Sequence, residues 1–216
     1  MPKYLIHAVP KRMWYVEQYL IPSMVSQGIA QSDITVYNDS EGKGNLKACM
    51  DAFLQVPDDD QGTWHLQDDV LICKDFKART EYHDTGLVCG FSSDMYDGPG
   101  NVGDVSVWDM WFSFPCIRIP NRYARECSTW VTKYMIGNMI YKKYWESGVN
   151  DDWMFKQYLK CFHMSDRALN LAPNLVNHVD YIIGGSTGVK NRDKPCRSQY
   201  WDSDDLVEEL ERKLAQ

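Results

Sequence analysis

Long hydrophobic runs are missing from this sequence. No apolar stretch approaches the roughly 18–20 residues that a membrane-spanning helix needs. The first residues, MPKYLIHAVPKR, carry no signal-type apolar core. The expectation is a soluble chain that works in the cytoplasm and has no membrane span. Positive charge is scarce too. The formal net charge is −7, which argues against a protein that coats nucleic acid through a general basic field but leaves room for a local basic groove. No CxxC pair occurs. The seven cysteines (Cys49, Cys73, Cys89, Cys116, Cys127, Cys161, Cys196) are scattered, odd in number and mostly set in apolar runs. That pattern excludes a disulfide framework or a zinc knuckle and predicts reduced, mostly buried thiols. Internal repeats are absent as well.

What is there is an ordinary globular composition, 44% hydrophobic and 25% charged over 216 residues. This is enough chain for one substantial core. Eight Trp and thirteen Tyr are many for the length. They fill cores and also stack on sugars and bases, so their abundance permits several functions and selects none.

The first half alternates between strand and helix signals. Tyr4–Val9 reads as a buried strand, Lys11–Gln27 as a helix with Pro22 inside and Gly28 as its C-cap, and Ile34–Tyr37 as a second strand. An amphipathic helix follows over Asn45–Val56, then a strand at Trp64–Leu66, a short helix at Phe76–Tyr82 and a strand at Leu87–Phe91. Alternation of this kind predicts an α/β protein with a central, mostly parallel sheet flanked by helices, and ligands outside the carboxyl ends of the strands. Residues 94–104 read as a loop. The second half predicts a strand at Cys116–Ile119, a long helix over Tyr123–Tyr144, and a helix opening at Asp151–Asp152. A C-terminal helix, capped by Ser203, carries a Leu206, Leu210 and Leu214 stripe. The expected organisation is one domain over residues 1–200, in two halves (1–93 and 94–200), followed by a helix over 201–216.

The stretch WHLQDDVLICKDF raises the chemical question. Two ionised carboxylates, Asp68 and Asp69, sit where a buried strand ends. They repel each other and are costly to bury without a partner. The bland reading is a solvated turn. The alternative is a hard divalent ion, Mg²⁺ or Mn²⁺, with open positions for substrate phosphates. His178, flanked by apolar residues, reads either as a packed histidine or as a ligand. Asp151 and Asp152 read either as ordinary first-turn helix charge or as a general base. Asn38, Asp39 and Asn45 lie at rim positions suited to a base and ribose, although Asn45 equally reads as a helix cap. Arg12 is a candidate phosphate or base contact. Lys190, Arg192, Lys194 and Arg197 form a basic loop that is either solvated or closes over a phosphate.

These motifs together resemble the nucleotide-sugar-dependent glycosyltransferases of the GT-A fold, in which a short acidic motif ends a central strand. LQDDVLICKDF is similar to the LEDDV-type motif of the lipooligosaccharide and procollagen galactosyltransferase group. It is more similar still to small glycosyltransferase-like proteins of bacteriophages. Those share a Pro-x-Arg after the first strand (Pro10 to Arg12), a motif like His65–Phe76, an Asp-Asp helix start, and Pro-x-Leu-Val-x-His (Pro173 to His178). The resemblance spans roughly residues 4–200 and implies Mn²⁺ or Mg²⁺ held by Asp69, Asp68 and His178. It implies Asp152 as base with Asp151 beside it. Donor contacts would come from Val9, Pro10, Arg12, Asn38, Asp39, Asn45, Gln67, Lys190 and Arg192, with a UDP-sugar as the foremost donor. The resemblance makes residues 1–93 the nucleotide-binding half and 94–200 the acceptor-side half, where Trp108 and Trp111 would line the acceptor side. Gln67 departs from the family's pattern by replacing the first acid of Asp-x-Asp. A hydroxymethylated pyrimidine in phage DNA is one acceptor this implies, in the host cytoplasm. Two alternatives stay open: a non-catalytic binding or virion-associated module, and a metal-dependent phosphodiesterase.

Overall fold

A computed structural model describes residues 3–92, 102–107, 114–135, 151–184, 198 and 200–215. Among them, seven strands form one sheet in the order β2-β1-β3-β7-β5-β8-β6. The strands are β1 (Lys3–Ala8), β2 (Ile34–Asn38), β3 (Gly62–Gln67), β5 (Leu87–Cys89), β6 (Gly103–Ser106), β7 (Cys116–Pro120) and β8 (Arg167–Asn170). β1 pairs in parallel with β2 and β3, and β5 in parallel with β8. β7 enters antiparallel between β3 and β5, and β6 closes the far edge antiparallel to β8. Five strands therefore point one way, and their carboxyl ends define a single rim. β6 falls at the end of the segment expected to be loop, and β8 had no clear signal.

Two apolar faces cover the sheet, as strand alternation requires. Tyr4, Ile6, Trp64 and Leu66 point to one core, with Tyr15, Leu20, Met24, Phe76 and Leu210. Leu5 points to the other, with Leu46, Phe53, Cys127, Phe155 and Leu159. The first core is closed by α1 (Met13–Tyr15), α2 (Ile21–Ser26), α4 (Phe76–Tyr82) and the C-terminal α8 (Asp204–Leu214). The second is closed by α3 (Asn45–Phe53), α5 (Asn121–Trp130) and α6 (Asp151–Phe162). A short α7 (Asp180–Ile183) lies between β8 and α8.

Pro22 widens its helix rather than breaking it. α1 passes through a π turn at Val16–Leu20 before α2 resumes, and the Ile21 N–H reaches back to the Val16 carbonyl. This wider turn sits where proline would otherwise delete an N–H and crowd the carbonyl four residues back. The helix ends as expected at Gly28. Gly28 takes φ +84°, its N–H donates to Val25 O, and the Ile29 N–H donates to Met24 O, the pairing of a Schellman cap. At the far end of the chain, Ser203 precedes α8, but its hydroxyl bonds Asp202 instead of capping the helix. The six cysteines of the described residues are all free thiols, and five of them are buried.

A second, two-stranded ribbon positions the site. β4 (Val70–Ile72) runs antiparallel to β9 (Val176–His178), with Val70 opposite His178. The Cys73 N–H to Leu175 O bond extends the ribbon, and the Leu175 N–H to Gly90 O bond holds it to the main sheet. Gly90 is needed there. A Cβ on it would stand 2.8 Å from Leu175 and 2.9 Å from Cys116 side-chain atoms.

Candidate functional site

The acid pair is not a solvated turn. Asp68 is 1% exposed and Asp69 4%. They follow the last residue of β3, at the rim where the parallel strands end. Arg12 spans them: one Nη lies 2.6 Å from Asp68 Oδ1 and the other 2.7 Å from Asp69 Oδ2. The Val9 N–H donates to Asp68 Oδ2 at 2.7 Å. The chain between β1 and α1 is thereby clipped onto the acid turn, because Pro10–Arg12 forms a 3₁₀ turn whose Arg12 N–H returns to Val9 O. Behind it, the Tyr15 hydroxyl donates to Val70 O at 2.9 Å.

The ribbon brings His178 to the same point. Its Nε2 is 3.2 Å from Asp69 Oδ1, and its Nδ1 is 3.2 Å from Asp180 Oδ1. The Val179 N–H donates to Asp69 O. Three carboxylates and two cationic side chains thus meet in one buried cluster. Burial works to raise Asp69, but His178 and Arg12 outweigh it and hold the carboxyl down at about 2. Burial and the adjacent Asp69 charge push Asp68 up to about 6, against Arg12 and the Val9 amide. Burial works to lower His178, but Asp69 and Asp180 raise it to about 10.

This arrangement bears on the ion that the resemblance implies. Such an ion needs carboxylate and imidazole lone pairs aimed at one point. Here Asp68 and Asp69 each give an oxygen to the Arg12 guanidinium and Asp68 another to the Val9 amide, while the two His178 nitrogens stand 3.2 Å from Asp69 Oδ1 and Asp180 Oδ1 in ion-pair contacts without hydrogen-bond geometry. Among the described residues, no three His, Cys, Asp or Glu side chains are grouped to hold a metal ion. As the side chains stand, they do not fit one: Arg12 holds the cation's place.

The other acid pair reaches the same rim by a different route. α6 leads into β8, which runs parallel to β5, so its first residues, Asp151 and Asp152, lie at the carboxyl end of the sheet. Burial, together with the Asp152 charge, lifts the Asp151 carboxyl to about 7. Asp152 is also raised by burial, and its Oδ1 accepts the Trp153 N–H at 2.7 Å.

The remaining sequence candidates divide. Gln67 ends β3 opposite His7, and its side chain alternates to the face away from the Asp68 turn. Asn38 is exposed at the end of β2. Asp39 is buried, and its two oxygens accept the Lys43 and Gly44 N–H groups at 2.9 and 3.1 Å, so it organises the loop into α3. Asn45 is the first residue of α3, with Gly44 at the cap. Lys190, Arg192, Lys194, Arg197, Trp108 and Trp111 lie outside the described residues. A groove of about 620 Å³ runs along α5 and α6, lined by Arg122, Arg125, Trp130, Tyr134 and Phe162, and it shares no residue with either acid pair.

Sequence reasoning passed over Asp180, whose only signal was its spacing two residues beyond His178. It also passed over a histidine pair beneath the rim. His7 Nε2 and His65 Nδ1 are 2.9 Å apart. Burial lowers His7 to about 4 and His65 well below its ordinary value, which favours neutral rings at this contact.

Fold and site together define an α/β protein with a buried, arginine-bridged acid cluster at the carboxyl edge of its sheet. No family profile and no curated protein matches the chain. Solved structures resemble it at a distance. Galactosyltransferase LgtC, in complex with donor and acceptor sugar analogues, is 12% identical with a TM-score of 0.45, over 96% of this chain and 94% of that one. A mutant Drosophila β-1,4-galactosyltransferase 7, in complex with manganese, UDP-Gal and xylobiose, is 10% identical with a TM-score of 0.41, over 95% and 73%. HddC from Yersinia pseudotuberculosis is 11% identical with a TM-score of 0.31, over 58% and 80%.

Proposed function

We propose that this chain is a GT-A-type glycosyltransferase that moves a sugar from a nucleotide donor, a UDP-sugar foremost, to an acceptor hydroxyl. The observation that carries the reading is the placing of two acid pairs at one rim, one bridged by Arg12 at 2.6 and 2.7 Å and the other opening α6; the shifts at the two pairs support it. Asp69 is held ionised at about 2, whereas Asp151 is lifted to about 7. Environments that push carboxyl groups apart in this way separate a fixed charge from a group that exchanges protons near neutrality.

In a single displacement the acceptor oxygen attacks the anomeric carbon. Its proton passes to a carboxylate, and the bond from sugar to diphosphate breaks with its electrons on the leaving oxygen. Asp152, with Asp151 beside it, is the pair this reading assigns to that step: burial raises both carboxyl groups, and Asp152 Oδ1 accepts the Trp153 N–H at 2.7 Å. Lys190 and Arg192 are the cations this reading assigns to the leaving diphosphate. The net charge of −7 favours a glycan or other neutral acceptor over a hydroxymethylated base in DNA.

A panel of nucleotide sugars, with and without Mn²⁺, tests the reading through release of nucleoside diphosphate. Slow release without acceptor, abolished in Asp151→Asn, is the expected result. The non-catalytic module is the second reading, favoured by Arg12 filling the acid site. It predicts donor binding by thermal shift and no release.

A further inference from the structure

The Asp68–Asp69 pair already has a cation. The two Nη atoms of Arg12 lie 2.6 and 2.7 Å from one oxygen of each acid, and Arg12 is itself only 6% exposed. A planar fork spanning two separate carboxylates is geometry that arginine supplies and lysine does not. The backbone repeats the clip, because Val9 both donates to Asp68 and accepts from Arg12. Arg12 is therefore placed by the fold and does not merely swing into the acids from solvent. A divalent ion bound by these oxygens would need the same lone pairs and would stand against a guanidinium of like charge in a buried site. The two cannot occupy the place together.

We propose that Arg12 is the resident counter-cation of Asp68 and Asp69, and that a divalent ion binds these acids only at Arg12's expense. The inference rests on the transferase reading solely for the expectation that an ion comes here; it concerns cation occupancy and not sugar transfer. Its physical consequence is a weak site in the free chain. Binding an ion would take Asp68 and Asp69 away from a buried guanidinium, and breaking a buried pair from one side is strongly unfavourable.

The test is Mn²⁺ binding by the full chain without nucleotide, read by electron paramagnetic resonance and by the shift in melting temperature. Wild type should show little saturable binding and no stabilisation. Arg12→Met should bind at least about tenfold tighter and be stabilised by Mn²⁺, and adding Asp69→Asn should remove both effects. A wild-type site that Asp69→Asn abolishes but Arg12→Met does not tighten would overturn the proposal. So would an Arg12→Met protein that folds and gains no site. If Arg12→Met does not fold by circular dichroism, Arg12→Lys decides, since it keeps the charge and loses the fork. Tightening of at least about threefold supports the proposal, and unchanged affinity sinks it. Failure of the transferase reading shows separately, as no release of nucleoside diphosphate from any nucleotide sugar, and leaves the Mn²⁺ comparison intact.

Discussion

Asp69 is where the electrostatics of the site converge. It faces Arg12 on one oxygen and His178 on the other, almost without solvent. Replacing it with Asn leaves both cations short of a partner in a buried place, which costs about 3–5 kcal/mol. Urea unfolding at pH 7 should show that loss for Asp69→Asn. By contrast, Asp205→Asn removes an exposed partner of Lys74 and should leave the urea midpoint unchanged. The pH dependence has a definite sign. Asp69 has a folded value of about 2 against an ordinary 3.8, so its contribution is present above the ordinary value and lost as the pH falls through the folded one. Acid titration of stability should therefore be steeper in wild type than in Asp69→Asn between those two values. Equal slopes would remove Asp69 from the account.

At the scale of elements, the first turn of α6 and the β4–β9 ribbon carry the consequences. Asp151 has a folded value of about 7, raised from 3.8 by burial and by Asp152. Between those values the folded chain keeps a proton that the unfolded chain releases, so this residue's contribution to stability falls as pH rises and stays lost above the folded value. Asp151→Asn should be more stable than wild type at pH 8 and lose sugar transfer, while the wild-type rate climbs with pH through neutrality. A variant that is no more stable at pH 8 than at pH 4, relative to wild type, contradicts the assignment. The ribbon makes a separate prediction. Val179 donates to Asp69 O, and Val70 faces His178, so the acid turn and the last residues of β9 are one hydrogen-bonded unit. His178→Gln should speed amide exchange in 70–72 and 176–179 together. Faster exchange in one strand with the other unaffected would show that the ribbon does not act as a unit.

At the scale of the whole molecule, the parallel strands gather both acid pairs at one end of the sheet, and the net charge is −7. The surface field therefore opposes a polyanionic acceptor. Duplex DNA should show no retention of the chain at about 0.15 M salt in a mobility-shift assay, while a nucleotide sugar gives a thermal shift. Salt-sensitive DNA binding at that ionic strength would reverse the preference for a neutral acceptor.

Alternation of apolar runs with 3.6-period segments was enough to read β1 to β3, α3, α4 and the rim from residues alone, because local burial patterns are written in adjacent positions. The same holds for the Gly28 cap and for the start of α6. What the chain order could not show is which distant side chains meet. Arg12 and Asp69 lie 57 residues apart, and His7 and His65 lie 58 apart; each pairing follows from strand neighbours chosen by the sheet as a whole. The sequence by itself determined that two acids end a buried strand, and that such a pair needs a cation. Only the tertiary structure decided which cation answers, because the β1–α1 turn and the β4–β9 ribbon deliver Arg12 and His178 to carboxylates that burial would otherwise not allow to stay ionised.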